Sequence, residues 1–218
     1  FFFMSIQSSP GVFSDRNLRR YIFGQVISFT GSMLQNAVLA LLIISLVGKE
    51  IAATAVGIQT AIVLIPGACL APFAGLLTDR WNKRTVLILS TIIYSIQTTG
   101  LLVLTCLGAI NLTAIYCLAA IGGIAAAFDG VARYAIVKDI VSNRGETAQA
   151  MKIVSSLYTI ANIAGSGAAG YIVILLGYHG GFILNLLSNI SLIFVLMSVR
   201  LTVPYISPVS KVKLLKPA

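Results

Sequence analysis

Two ionisable residues, Asp129 and Arg133, stand four apart in an apolar stretch, which places them on one helical face. They offer two kinds of chemistry: a structural charge relay with the basic Lys83 or Arg84, or proton carrying by Asp129. A second set of residues is neutral. Gln25, Ser28, Ser32, Gln35 and Asn36 recur at three- and four-residue steps, as do Ser155, Thr159, Asn162 and Ser166, so each set traces one stripe. Such groups either line a water-filled cavity that holds a polar solute or bond to neighbouring helices. Tyr94, Gln97, Asn185 and Asn189 are expected to face other helices. Enzyme chemistry has no support. Gly165-Ser166-Gly167 carries Ala164 where an intramembrane serine protease needs glycine, and the single histidine, His179, is expected in a turn. Cys69, Cys106 and Cys117 form no CxxC pair and are expected to be small buried hydrophobes. No metal or cofactor is expected.

The chain that must hold these residues has 218 of them, 58% apolar and 10% charged, with a mean hydropathy of +0.97. A soluble domain carries about a quarter charged residues. Residues 21–48, 51–78, 85–128 and 153–199 carry no Asp, Glu, Lys or Arg. A membrane-crossing helix needs about 20 residues, so the two longest runs can each cross twice. Gly108–Asn111 and Gly177–Gly181 are the natural places to divide them. The pattern predicts an all-α membrane protein of six transmembrane helices, with spans at about 20–47, 51–77, 85–108, 112–137, 148–176 and 181–200. Continuous runs exclude a transmembrane barrel, and their length excludes a water-soluble enzyme, a nucleic-acid module and a disordered tail. The net charge of +9 then reports topology rather than a nucleic-acid partner.

Thirteen of the fifteen cations fall on one side of this arrangement. They are Arg16, Arg19, Arg20, Arg80, Lys83, Arg84, Lys138, Arg144, Lys152, Arg200, Lys211, Lys213 and Lys216, against Lys49 opposite and Arg133 within a span. The positive-inside rule places both termini in the cytoplasm and the protein in the cell (inner or plasma) membrane as a multi-pass chain. Residues 1–19 read as a cytoplasmic amino-terminal segment, 20–200 as the bundle and 201–218 as a cytoplasmic linker or tail. The first span is expected to persist rather than be cleaved as a signal, and Met4 is a candidate natural start. Asp129 follows Leu112 by 17 residues, or about 26 Å along a helix, which sets it near the cytoplasmic edge.

The second connection reads Gly75-Leu76-Leu77-Thr78-Asp79-Arg80-Trp81-Asn82-Lys83-Arg84. It closely resembles the signature between helices 2 and 3 of the major facilitator superfamily, with Asn82 where that family usually has glycine. Asparagine is expected to keep the turn by adopting a positive φ. The resemblance implies a conformational-gating motif of Gly75, Leu77, Asp79, Arg80, Lys83 and Arg84. Asp79 would end helix 2 and accept hydrogen bonds at a helix N-terminus of the other half, latching an outward-open state. Lys83 and Arg84 would pair with acids at the cytoplasmic end of helix 4. Asn17–Arg20, Gly24-Gln25, Ser28, Pro72–Gly75 and a glycine-rich fifth helix further resemble drug and siderophore exporters such as enterobactin and macrolide exporters, over about residues 14–200. Three positions depart from that pattern. Ser166 replaces a proline in the fifth helix, residues 117–121 lack an arginine, and Asp129-Gly130 stands where related exporters tend to have proline.

The resemblance implies a secondary active transporter that exports a small amphipathic, drug- or siderophore-like solute by alternating access. The six spans would form its amino-terminal half, built from 3+3 inverted repeats. The implied partners are the lipid bilayer, a small-molecule substrate and a second six-helix half or a second copy. No cofactor or nucleic acid is implied. The alternative is a truncated membrane protein that does not transport, or an assembly subunit.

Overall fold

The computed structural model of the protein describes residues 16–140 and 144–198. They form helices α1 (Arg16–Val47), α2 (Lys49–Arg80), α3 (Lys83–Cys106), α4 (Leu112–Ile140) and α5 (Arg144–Ser198). Each of the five contains a stretch long and apolar enough to cross a membrane. Helix is the form such runs must take in lipid, because it satisfies every backbone group within the segment.

Glycines make the breaks. Gly48, at φ 76°, separates α1 from α2, and Gly108, at φ 64°, follows α3. Gly177, at φ 67° and ψ −175°, interrupts the 55 residues of α5, which would run for about 80 Å if straight. The chain reverses there. Before Gly177, Tyr158 stacks on Phe29 and Gly165 lies against Thr30 and Leu34, so numbering rises along α1. After it, Gly181 lies against Val38, Asn185 bonds Gln35, Asn189 bonds Ser28 and Val195 meets Gly24, so numbering falls. Two limbs of α5 therefore embrace α1, and that pairing is the most extensive in the molecule.

Two apolar cores result. One gathers Tyr21, Leu87, Val137 and Leu192 at the end of the bundle that carries Lys83 and Lys138, called here the basic end. The other gathers Leu39, Ile43, Leu101, Ile115 and Phe182 towards the opposite end. α2 packs mainly on α4, where a Cβ at Gly123 would come within 2.7 Å of the Val63 carbonyl. Leu64, Ile65, Phe73, Phe194 and Met197 face outward, as lipid-facing side chains do.

α2 runs to Arg80, so Asp79 is its next-to-last residue. Several expectations change. Asn82 does not adopt a positive φ. It sits at −67° and caps α3, its Oδ1 accepting from the Arg84 N–H at 3.0 Å. An asparagine oxygen can satisfy a helix-start N–H that glycine cannot. All three cysteines are exposed on the bundle surface rather than buried. His179 stands two residues past the break at Gly177, at the start of the second limb of α5. Most of segment 1–19, the whole of 201–218 and the cations Arg200, Lys211, Lys213 and Lys216 fall outside the described residues, as do the side chains of Arg16 and Arg144.

Candidate functional site

At the basic end the charged groups pair with one another. Arg133 Nε donates to Asp129 Oδ2 at 2.5 Å, one turn apart on α4, and both residues are buried. Arg133 Nη1 also donates to Gln25 Oε1. Gln25 Nε2 donates to the Tyr21 hydroxyl at 3.0 Å, and that hydroxyl donates to the Arg133 carbonyl at 3.1 Å. A closed ring of hydrogen bonds thus ties α1 to α4. The guanidinium lies 6.0 Å from the centroid of Phe29, whose ring stacks on Tyr158 at 4.8 Å. Aromatic faces favour a nearby cation, which helps hold a charge that an apolar interior alone would reject.

Lys83 Nζ meets Asp139 Oδ1 at 2.7 Å, joining the start of α3 to the end of α4. A relay from Asp129 through Lys83 is therefore not formed, because Asp139 stands nearer the end of the helix and takes the lysine. Among the described residues Arg84, Asp79 and Arg80 have no ion pair; Asp79 and Arg80 are exposed. A Cβ built on Gly75 would have no neighbour within 4 Å, and Leu77 is half-buried. The motif thus presents an open flank beside an unpaired carboxylate.

Deeper in the bundle the polar groups are neutral. Ser28 donates to Asn189 Oδ1 at 3.1 Å. Gln35 Oε1 accepts from the Thr98 hydroxyl at 2.7 Å and from the Asn185 amide. These bonds fasten α1 to α3 and to the second limb of α5. The α1 stripe is accordingly divided in role. Gln25, Ser28 and Gln35 are buried and bonded across helices, Ser32 is half-buried and donates to the Ser28 carbonyl, and Asn36 is exposed. Ser32, Gln35 and Asn36 also border a small cavity whose enclosed volume is about 40 Å³. Gln59 of α2, Tyr94 and Gln97 of α3 and Asn185 of α5 complete its polar lining. Tyr94 and Gln97 thus open on a cavity rather than only meeting other helices. Gln59 was missed because it is a lone amide in an uncharged run and belongs to no stripe.

The α5 stripe is placed differently. Ser155, Thr159, Asn162 and Ser166 all face out of the bundle. Thr159 donates to the Ser155 carbonyl and Ser166 to Asn162 Oδ1, along their own helix. Of the glycines beside them, Gly165 is required for close packing, since a Cβ there would come within 2.5 Å of the Thr30 carbonyl, whereas Gly167 and Gly170 have open space.

Among the described residues no His, Cys, Asp and Glu cluster is arranged to hold a metal. A family model described as Major Facilitator Superfamily matches residues 21–216. A search among curated proteins returned no match.

Proposed function

The chain belongs to the major facilitator superfamily, and on that premise we propose that it forms one six-helix half of an exporter of small amphipathic solutes. As a member of that family it is a multi-pass membrane transporter. In this reading the two limbs of α5 are separate spans and the basic end faces the cytoplasm. A second six-helix bundle, from further chain or another chain, covers α2 and the first limb of α5.

The observation that carries the reading is the outward face of those two elements. Ser155, Thr159, Asn162 and Ser166 point away from the bundle, and Gly75 has an open flank. Lipid tails offer such groups nothing, whereas a partner helix or a watery cavity does. Rocking one bundle against the other about such an interface alternates access to a site between them. Asp79, unpaired in the last turn of α2, is free to accept from helix-start N–H groups of the second bundle in one of the two states. The Asp129–Arg133 ring holds α1 and α4 together as a rigid unit while this happens. Asp129 serves structure in this scheme, so the double variant Asp129→Asn/Arg133→Gln, which leaves no lone charge, retains export.

The test is release of fluorescent amphiphiles, Nile red and rhodamine 6G, from proteoliposomes containing the full-length protein. We expect release above protein-free liposomes, cut at least tenfold by Asp79→Asn at equal protein content. No protein-dependent release of either dye would sink the reading in favour of a subunit that does not transport.

A further inference from the structure

We propose that the cavity bounded by α1, α2, α3, α4 and the second limb of α5 is a subsite for a neutral hydrogen-bonding head group, a hydroxyl or a carboxamide, and that it disfavours charged ones. As a statement about cargo this rests on the transporter reading, but as a statement about binding it does not.

Five carboxamides converge there from four helices: Gln35 and Asn36 of α1, Gln59 of α2, Gln97 of α3 and Asn185 of α5. They lie well inside their elements, Gln35 nineteen residues past the first residue of α1 and Gln97 fourteen past the first of α3. Gln97 is 5% exposed and Gln59 9%. Among the described residues neither makes a hydrogen bond, yet neither has a polar atom sealed away from the cavity. A carboxamide held in apolar surroundings without a partner is unfavourable, so these groups call for an occupant.

The geometry also restricts what the occupant is. The oxygen of Gln35 is engaged by Thr98 and Asn185, which leaves its amide nitrogen for the cavity. Gly122 of α4 faces Gln97. A Cβ there would stand 3.4 Å from the Gln97 carboxamide, at ordinary contact distance. No charged side chain lines the space, and Asp129 and Arg133 are spent on each other and on Gln25. Carboxamides offer both donors and acceptors. They can therefore satisfy a hydroxyl or an amide, while an ammonium or a carboxylate would be desolvated with no counter-charge. The cavity volume of about 40 Å³ exceeds the roughly 10–15 Å³ needed to hold one water. It admits one small head group, with the apolar remainder of the solute leaving past exposed Asn36.

The experiment measures equilibrium binding of four matched radiolabelled probes to the full chain in lipid nanodiscs, with empty nanodiscs subtracted. The probes are decanamide, decanol, decyltrimethylammonium and decanoate. We expect saturable binding of decanamide and decanol at least tenfold tighter than of the two charged probes. Gln97→Leu should weaken decanamide at least tenfold, Gln97→Glu should shift preference towards decyltrimethylammonium, and Ser166→Ala should change nothing. Should the Gln97 variants not fold, the exposed Asn36→Leu replaces them, with a severalfold loss expected. Equal affinity for all four probes, or folded variants with unchanged preference, overturns the proposal. Neutral-selective binding without dye release keeps the subsite and sinks the transporter reading. Dye release with no head-group preference does the reverse.

Discussion

The basic end and the middle of the bundle solve the same problem, polar side chains among apolar helices, in opposite ways. At the basic end the charges are paired, Arg133 with Asp129 and Gln25, Tyr21 with Gln25 and the Arg133 carbonyl, Lys83 with Asp139, although Asp129 Oδ1 and the Tyr158 hydroxyl are buried without a partner among the described residues. In the middle, Gln35, Thr98 and Asn185 form a bonded knot, but Gln59 and Gln97 beside it keep their amides unpaired towards a cavity. Fully matched polar groups fix helices relative to one another. Unmatched neutral ones cost stability unless something else binds them. The contrast assigns support to the ionic end and recognition to the neutral middle.

Removing one partner at the ionic end gives the largest expected effect. Arg133→Met leaves Asp129 charged and alone in an apolar interior, a loss of about 3–5 kcal/mol. The double variant Asp129→Asn/Arg133→Gln should recover most of it. Thermal unfolding of the purified protein checks both, and a small loss in the single variant would mean that the ring does not support the bundle. Next comes the approach of α5 to α1. Gly165→Ala pushes a methyl into the Thr30 carbonyl and should cost about 1–3 kcal/mol, read as a lowered melting temperature. Cutting the neutral knot with Asn185→Leu should cost less, about 0.6–1.7 kcal/mol. No stability loss is expected at the cavity, where Gln97→Leu removes an unpaired amide and should not lower the melting temperature. A large loss there would show that Gln97 supports the fold, and the division of roles would fail.

How much of this could be read from the residue order depends on range. The helices follow from charge-free stretches, and the breaks at Gly108 and Gly177 from glycines that reach a positive φ. The spacing of Asp129 and Arg133 shows that they share a face. It does not show that Gln25 and Tyr21 lie 108 and 112 residues away from Arg133 along the chain yet within bonding distance. The two polar stripes looked alike because periodicity reveals a shared face but not what covers it. The α1 stripe is largely buried and the α5 stripe is bare. Gln59 and Gln97 gave no periodic signal at all, and only the packing of α2 and α3 around α1 and α4 brings them together. Asn82 misled for a local reason, because asparagine suits both a positive-φ turn and a helix cap, and only the backbone shows which it serves.

The central claim, that exposed Asn36 beside the neutral cavity faces a space between two bundles that opens alternately to the two sides of the membrane, is open to direct measurement. Asn36→Cys, in a chain whose Cys69, Cys106 and Cys117 are replaced by alanine, can be reacted with a membrane-impermeant thiol reagent in sealed right-side-out and inside-out vesicles. The account predicts labelling from both sides, slowed by bound decanamide. Labelling from one side only, or from neither, would contradict it.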